Sequence, residues 1–108
     1  MALTPDSLET AEGLMRSRYE AFRSLDAAHL LATWHPSTRP ADLELDPETE
    51  WRALRVIDTV RGGVNDDDGV VEFIAVWRQD GQRGELHERS RFVREGGRWL
   101  YVDGDVLG

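Results

Sequence analysis

Glu88 and Ser90 stand two apart in "LHERSRF", and Tyr101 and Asp103 stand two apart in "RWLYVDGD". In an extended chain that spacing puts side chains on one face, so each stretch presents paired polar groups to one surface. Glu88, partly desolvated by Trp99 and Phe92, is a candidate general base or acid. Tyr101 or His35 would then polarise a substrate carbonyl beside it. Trp34, Phe73, Trp77, Ser90, Phe92, Trp99 and Asp103 supply aromatic walls and a few polar groups, the usual anatomy of a small-molecule pocket. Arg39, in "TWHPSTRP", is a candidate cation for the same site.

These residues also have a purely structural use. Glu88 and Ser90 can pin "HPSTRP" to the sheet through backbone at the end of a second helix, with Arg39 as partner of Glu88 or Asp103. A buried carboxylate needs partners in either case, since leaving it unpaired costs on the order of several kcal/mol. His35 can serve a helix end, at the negative pole of the helix dipole. The structural clasp is the preferred reading. A Ser-His-Asp set drawn from Ser37 or Ser90, His35 and Asp103 lacks any G-x-S-x-G turn. His29, His35 and His87 offer no ligand spacing on a shared face, so no metal is expected. "NDDDG" lacks the spacing of a calcium loop and reads as a solvated turn. The arginine pairs of "RSRY" and "RSRF" are candidate anion holders, but read better as surface ion-pair partners.

The composition limits the chemistry further. There is no cysteine, which removes disulfides, thiolate nucleophiles and cysteine-based zinc sites. All 13 basic residues are arginine, so no lysine Schiff base or lysine general base exists. A net charge of −8 argues against the basic face of a nucleic-acid binder. No apolar run approaches the ~20 residues of a membrane span, and the N-terminus lacks the segments of a secretion signal. The expectation is one soluble cytoplasmic domain over 1–108, without cofactor.

The elements that must position the candidates follow from periodicity. A first helix is expected from Thr4 or Asp6, with Pro5 in its first turn and apolar residues from Leu8 through Leu25 at helical spacing. Asp26 caps a second helix bearing Leu30, Leu31 and Trp34, which Pro36 stops by forcing His35 out of helical geometry. "DPET" suggests a short third helix, capped by Asp46. Four strands follow, "WRALRVIDTVRG", "VVEFIAVWRQ", "ELHERSRFVRE" and "RWLYVDGD", separated by "NDDDG", "DGQRG" and "GG" turns. Helices followed by a meander predict an α+β domain with a bent antiparallel sheet of four or five strands. Alternation places Phe73, Ala75 and Trp77 on one face, Glu88, Ser90 and Phe92 on one face, and Trp99, Tyr101 and Asp103 on one face.

"LMRSRYEAF", "LLATWHPSTRP", "FIAVW", "LHERSRF" and "GRWLYVDGD", in that order, resemble the middle domain of the YchJ-like bacterial family, of the NTF2-like superfamily. The resemblance spans nearly the whole chain. It implies an NTF2-like cone, two or three helices across a bent sheet with a cavity between them, and a homodimer formed through the outer sheet face. The family's cysteine-rich, SEC-C type metal-binding segments have no counterpart in this sequence, so their zinc is not expected here. The functional expectation is a ligand-binding or structural domain with a cavity for a small apolar ligand, without nucleic-acid or membrane partners. The alternatives are a cofactor-free lyase, isomerase or hydrolase using Glu88, and a protein-interaction module.

Overall fold

A computed structural model describes residues 8–107. It contains helix α1 (Ala11–Ser24), helix α2 (Ala27–Ala32), and strands β1 (Glu50–Arg61), β2 (Asp68–Gln79), β3 (Gln82–Glu95) and β4 (Arg98–Val106). The strands form one antiparallel meander in the order β1-β2-β3-β4. The fold is α+β, with two helices rather than three and four strands rather than five among the described residues.

Helix α1 starts later than expected. The Thr10 hydroxyl accepts the Gly13 amide at 3.0 Å, an N-cap that fixes Ala11 as the first helical residue. Thr4 and Asp6 lie outside the described residues. At the other end Leu25 takes a left-handed conformation (φ 60°), and its amide reaches back to the Ala21 and Phe22 carbonyls. Asp26 caps α2 as expected, accepting the His29 amide at 3.0 Å. Helix α2 ends at Ala32, well before Pro36, because Thr33–His35 leaves the helix to pair with β4. The "DPET" segment is a turn: the Asp46 side chain accepts from the Glu48 amide at 2.9 Å, and its carbonyl accepts from Thr49 at 3.2 Å.

Two tight hairpins hold the meander in register. Asp80–Gly81 and Gly96–Gly97 all have positive φ, the mirror-image turn geometry whose twist suits adjoining strands. The ladder is interrupted three times by one extra residue: Arg52 and Ile57 in β1, and Val102 in β4. Such bulges bend a strand and add twist. They also reset which side chains face inward. Leu54 and Val56 point in while Ile57 is left 43% exposed at its bulge.

The inner face packs on α1. Ala11, Leu14 and Met15 from the helix meet Val71, Phe92 and Trp99 from the sheet, with Leu54, Val56, Phe73 and Tyr101 around them. The outer face carries a lattice of charges across all four strands. Arg89 bridges Asp58 (3.2 Å) and Glu72 (2.8 Å), and His87 also meets Glu72 (2.8 Å). Arg91 bridges Asp103 (2.6 Å) and Asp105 (2.8 Å). No helix among the described residues is long and apolar enough to cross a membrane.

Candidate functional site

Between α1 and the inner sheet face lies a cavity of about 270 Å³. Met15, Arg18, Tyr19 and Phe22 on α1 form its roof, Trp34 closes one side, and Phe73, Ala75, Leu86, Glu88, Ser90, Phe92 and Tyr101 form its floor, with Trp51 from β1. The sheet register explains the floor. Phe73 sits opposite Glu88, Ala75 opposite Leu86, and Val71 opposite Ser90, so one face of two strands supplies most of it.

Glu88 is held at the floor by two hydroxyls. Ser90 donates to its Oε2 at 2.6 Å and Tyr101 donates to the same oxygen at 3.2 Å. The carboxylate lies over Gly104, where any side chain would collide with it. Burial raises the Tyr101 phenol to a pKa of about 12, helped by the adjacent Glu88 charge, so the phenol keeps its proton at neutral pH.

The unexpected member is Arg18, 6% exposed in an apolar roof. Its Nη1 donates to the Leu30 carbonyl (2.8 Å) and the Thr33 hydroxyl (2.7 Å), tying α1 to the end of α2. Its guanidinium carbon lies 4.6 Å from the Tyr101 ring centre and 5.0 Å from that of Trp34, both within cation–π range. The two rings meet edge to face at 5.2 Å. Desolvation lowers the guanidinium to a pKa of about 10, opposed by Tyr101 and Glu88, which leaves it charged at neutral pH. The expectation that the arginines of "RSRY" lie at the surface does not hold for Arg18. A signal was present: Arg18 follows Leu14 by four residues and Ala11 by seven, and so belongs to the buried stripe of α1.

Of the candidates, Glu88, Ser90, Tyr101, Trp34, Phe73 and Phe92 line the cavity, and five others do not. Trp77 faces inward but its ring fills the space beside Gly84, its cross-strand partner, and lies outside the lining. Trp99 is buried in the core and donates its indole N–H to the Glu9 carbonyl at 2.9 Å. Asp103 is turned to the outer face by the Val102 bulge, where it meets Arg91. His35 faces away, with Nε2 3.0 Å from Glu95 and Nδ1 accepting the Ser37 amide at 3.1 Å. Arg39 is exposed and partners neither Glu88 nor Asp103.

"TWHPSTRP" is nevertheless fastened to the sheet, by different atoms. The His35 amide donates to the Tyr101 carbonyl and the Tyr101 amide to the Thr33 carbonyl, both at 2.8 Å. The Thr38 hydroxyl donates to the carbonyl of the bulged Val102 at 2.6 Å. No cluster of three or more histidine or acidic side chains arranged to hold a metal occurs among the described residues.

Comparison with known proteins agrees with this architecture. The family description "YchJ, middle NTF2-like domain" matches residues 10–104. A UPF0225 protein of Streptomyces coelicolor is 53% identical over 98 residues, covering 91% of this chain and 76% of the relative. A UPF0225 protein of Polaromonas naphthalenivorans is 52% identical, over 88% of this chain and 68% of the relative. The solution structure of a SEC-C motif containing protein from Rhodopseudomonas palustris superposes with a TM-score of 0.77 at 32% identity, covering 93% of this chain and 80% of that one. A crystal structure of a sec-c motif containing protein from Psychrobacter arcticus gives 0.69 at 27% identity, over 92% and 62% of the two chains. With an α1–sheet core spanning the matched residues, the chain belongs to the YchJ family as its middle, NTF2-like domain.

Proposed function

We propose that this domain binds a small, mainly apolar molecule in the cavity between α1 and the sheet. The observation that carries the reading is the cavity itself. About 270 Å³ of aromatic-walled space, somewhat under the ~300 Å³ lower bound of drug-sized pockets, suits a ligand of one ring or a short chain. An apolar wall interrupted by one arginine and one carboxylate also fits a ligand with a polar end. Native mass spectrometry of freshly purified protein tests this, with a co-purifying mass as the expected result. Leu86→Trp, which fills the cavity from the floor, should abolish that mass while keeping the fold. A single ligand-free mass, together with no binding across a fragment library, overturns the reading.

A catalytic alternative is favoured by one contact, the Tyr101 hydroxyl on Glu88. A carboxylate beside a phenol that keeps its proton is the pairing of a cofactor-free lyase or isomerase: Glu88 removes a proton next to a carbonyl whose oxygen Tyr101 polarises. His35 takes no part in this scheme. Hydrogen–deuterium exchange at the α-carbon of small ketones and esters, followed by NMR, is the direct assay. Exchange that disappears in Glu88→Gln supports the alternative, and its absence for every compound sinks it.

A further inference from the structure

The geometry points to a neutral ligand head that both accepts and donates hydrogen bonds, a carboxamide in its simplest form, held between Arg18 and Glu88. This rests on the cavity being a ligand site and specifies what that site selects.

Each of the two charged side chains is only half used by the protein. Arg18 spends Nη1 on Leu30 and Thr33, while Nε and Nη2 have no protein acceptor among the described residues. Glu88 takes both hydroxyls on Oε2, while Oε1 has no protein donor among the described residues. These spare atoms are not sealed in. Among the described residues the one fully enclosed side-chain polar atom without a partner is the Trp34 indole nitrogen. Arg18 and Glu88 both line the cavity, and the proposed head engages their spare donors and acceptor. Tyr101 links the two, its ring against the guanidinium and its hydroxyl on the carboxylate.

Opposite charges on the roof and floor of one apolar cavity discriminate by ligand charge. An entering anion gains from Arg18 but meets Glu88, and a cation gains from Glu88 but meets Arg18. Either one also loses its hydration on entry. A neutral head with a carbonyl and an N–H gains from both walls, and each unused polar atom of the site finds its complement. A pure hydrocarbon fills the volume but leaves those atoms dry and unmatched.

Four single-ring probes of nearly equal size separate the cases by NMR titration: benzamide, benzoate, benzylamine in its ammonium form, and toluene. Benzamide should bind about tenfold or more tighter than the other three. Benzoate or benzylammonium binding as tightly overturns the inference. Toluene matching benzamide also overturns it, while leaving the cavity a ligand site. Binding by none of the four overturns both. Glu88→Gln removes the negative wall and keeps its shape, so benzoate should gain about tenfold or more over its affinity for the wild type. An unchanged benzoate affinity in that variant, with amide dispersion intact, overturns the inference. If Glu88→Gln does not fold, the wild-type ranking decides alone.

Discussion

Arg18 joins α1 to the end of α2 and to β4. Its head holds two acceptors at the end of α2 and lies within cation–π range of two aromatic rings, yet it forms no direct ion pair with Glu88. A buried charge of this kind is tolerated only where hydrogen bonds and ring faces replace water. Arg18→Ala should therefore lower stability by about 2–4 kcal/mol, leaving acceptors unmatched and enlarging the cavity. Arg39→Ala, at an exposed arginine, should stay within about 0.5 kcal/mol of wild type. Parallel thermal denaturation of the two variants checks the contrast. Tyr101 gives a second residue-scale expectation. Its folded pKa of about 12 exceeds the ordinary 10.0, so the stabilisation this implies is fully present below pH 10 and is lost as pH rises toward 12. Ultraviolet titration should show a phenol ionising near 12, and that step should vanish in Tyr101→Phe.

At the scale of elements, the site depends on interruptions as much as on regular structure. The Val102 bulge keeps Tyr101 facing the cavity and sends Asp103 to the outer face, which a regular β4 would not do. It also presents the carbonyl that anchors Thr38. The α1–α2 connection carries a different irregularity, a left-handed leucine where glycine is the usual choice. That conformation costs an L-residue roughly 1–2 kcal/mol, and Leu25 is 46% exposed, so its side chain recovers little by burial. Leu25→Gly should raise stability by up to about 1 kcal/mol once the greater freedom of glycine in the unfolded chain is subtracted. Chemical denaturation measures it, and a destabilised Leu25→Gly would show that the Leu25 side chain packs more firmly than its exposure implies.

For the molecule as a whole, the net charge of −8 is not spread evenly. The outer sheet face gathers acidic groups around Arg89 and Arg91, while the mainly apolar cavity between the inner face and α1 is lined by the Glu88 carboxylate from the sheet and the Arg18 guanidinium from the helix. Glu72, hydrogen-bonded by His87 and Arg89, is held below its ordinary 4.5, and Asp105, hydrogen-bonded by Arg91, below its ordinary 3.8. A carboxylate depressed in the folded state stabilises the fold above its unfolded pKa, and that contribution disappears as pH falls through the folded value. Stability should therefore begin to fall below pH 4.5 and continue falling past 3.8. Denaturation series in acid should show a shallower slope for Glu72→Gln and Asp105→Asn than for wild type. Because these pairs are solvent-accessible, raised salt should weaken the same effect.

Local chemistry alone determined the α+β order, the Asp26 cap, the four strand segments and the two glycine turns. Each rests on periodicity or on backbone preferences that act over a few neighbouring residues. The inward placement of Phe73, Glu88, Ser90, Phe92 and Tyr101 was also legible, because side chains alternate along a strand whatever the partner. Only the tertiary structure decided the rest. A bulge belongs to a pair of strands, so the turning-out of Asp103 could not be read from "RWLYVDGD" by itself. The fastening of "TWHPSTRP" runs to backbone atoms of β4, which any residue supplies, and among those bonds the Thr38 hydroxyl is the one side-chain contribution. Arg18 had the spacing of a core residue and the charge of a surface one. The aromatic faces and helix-end acceptors that settle the conflict come from segments distant in the chain, brought around it only by folding.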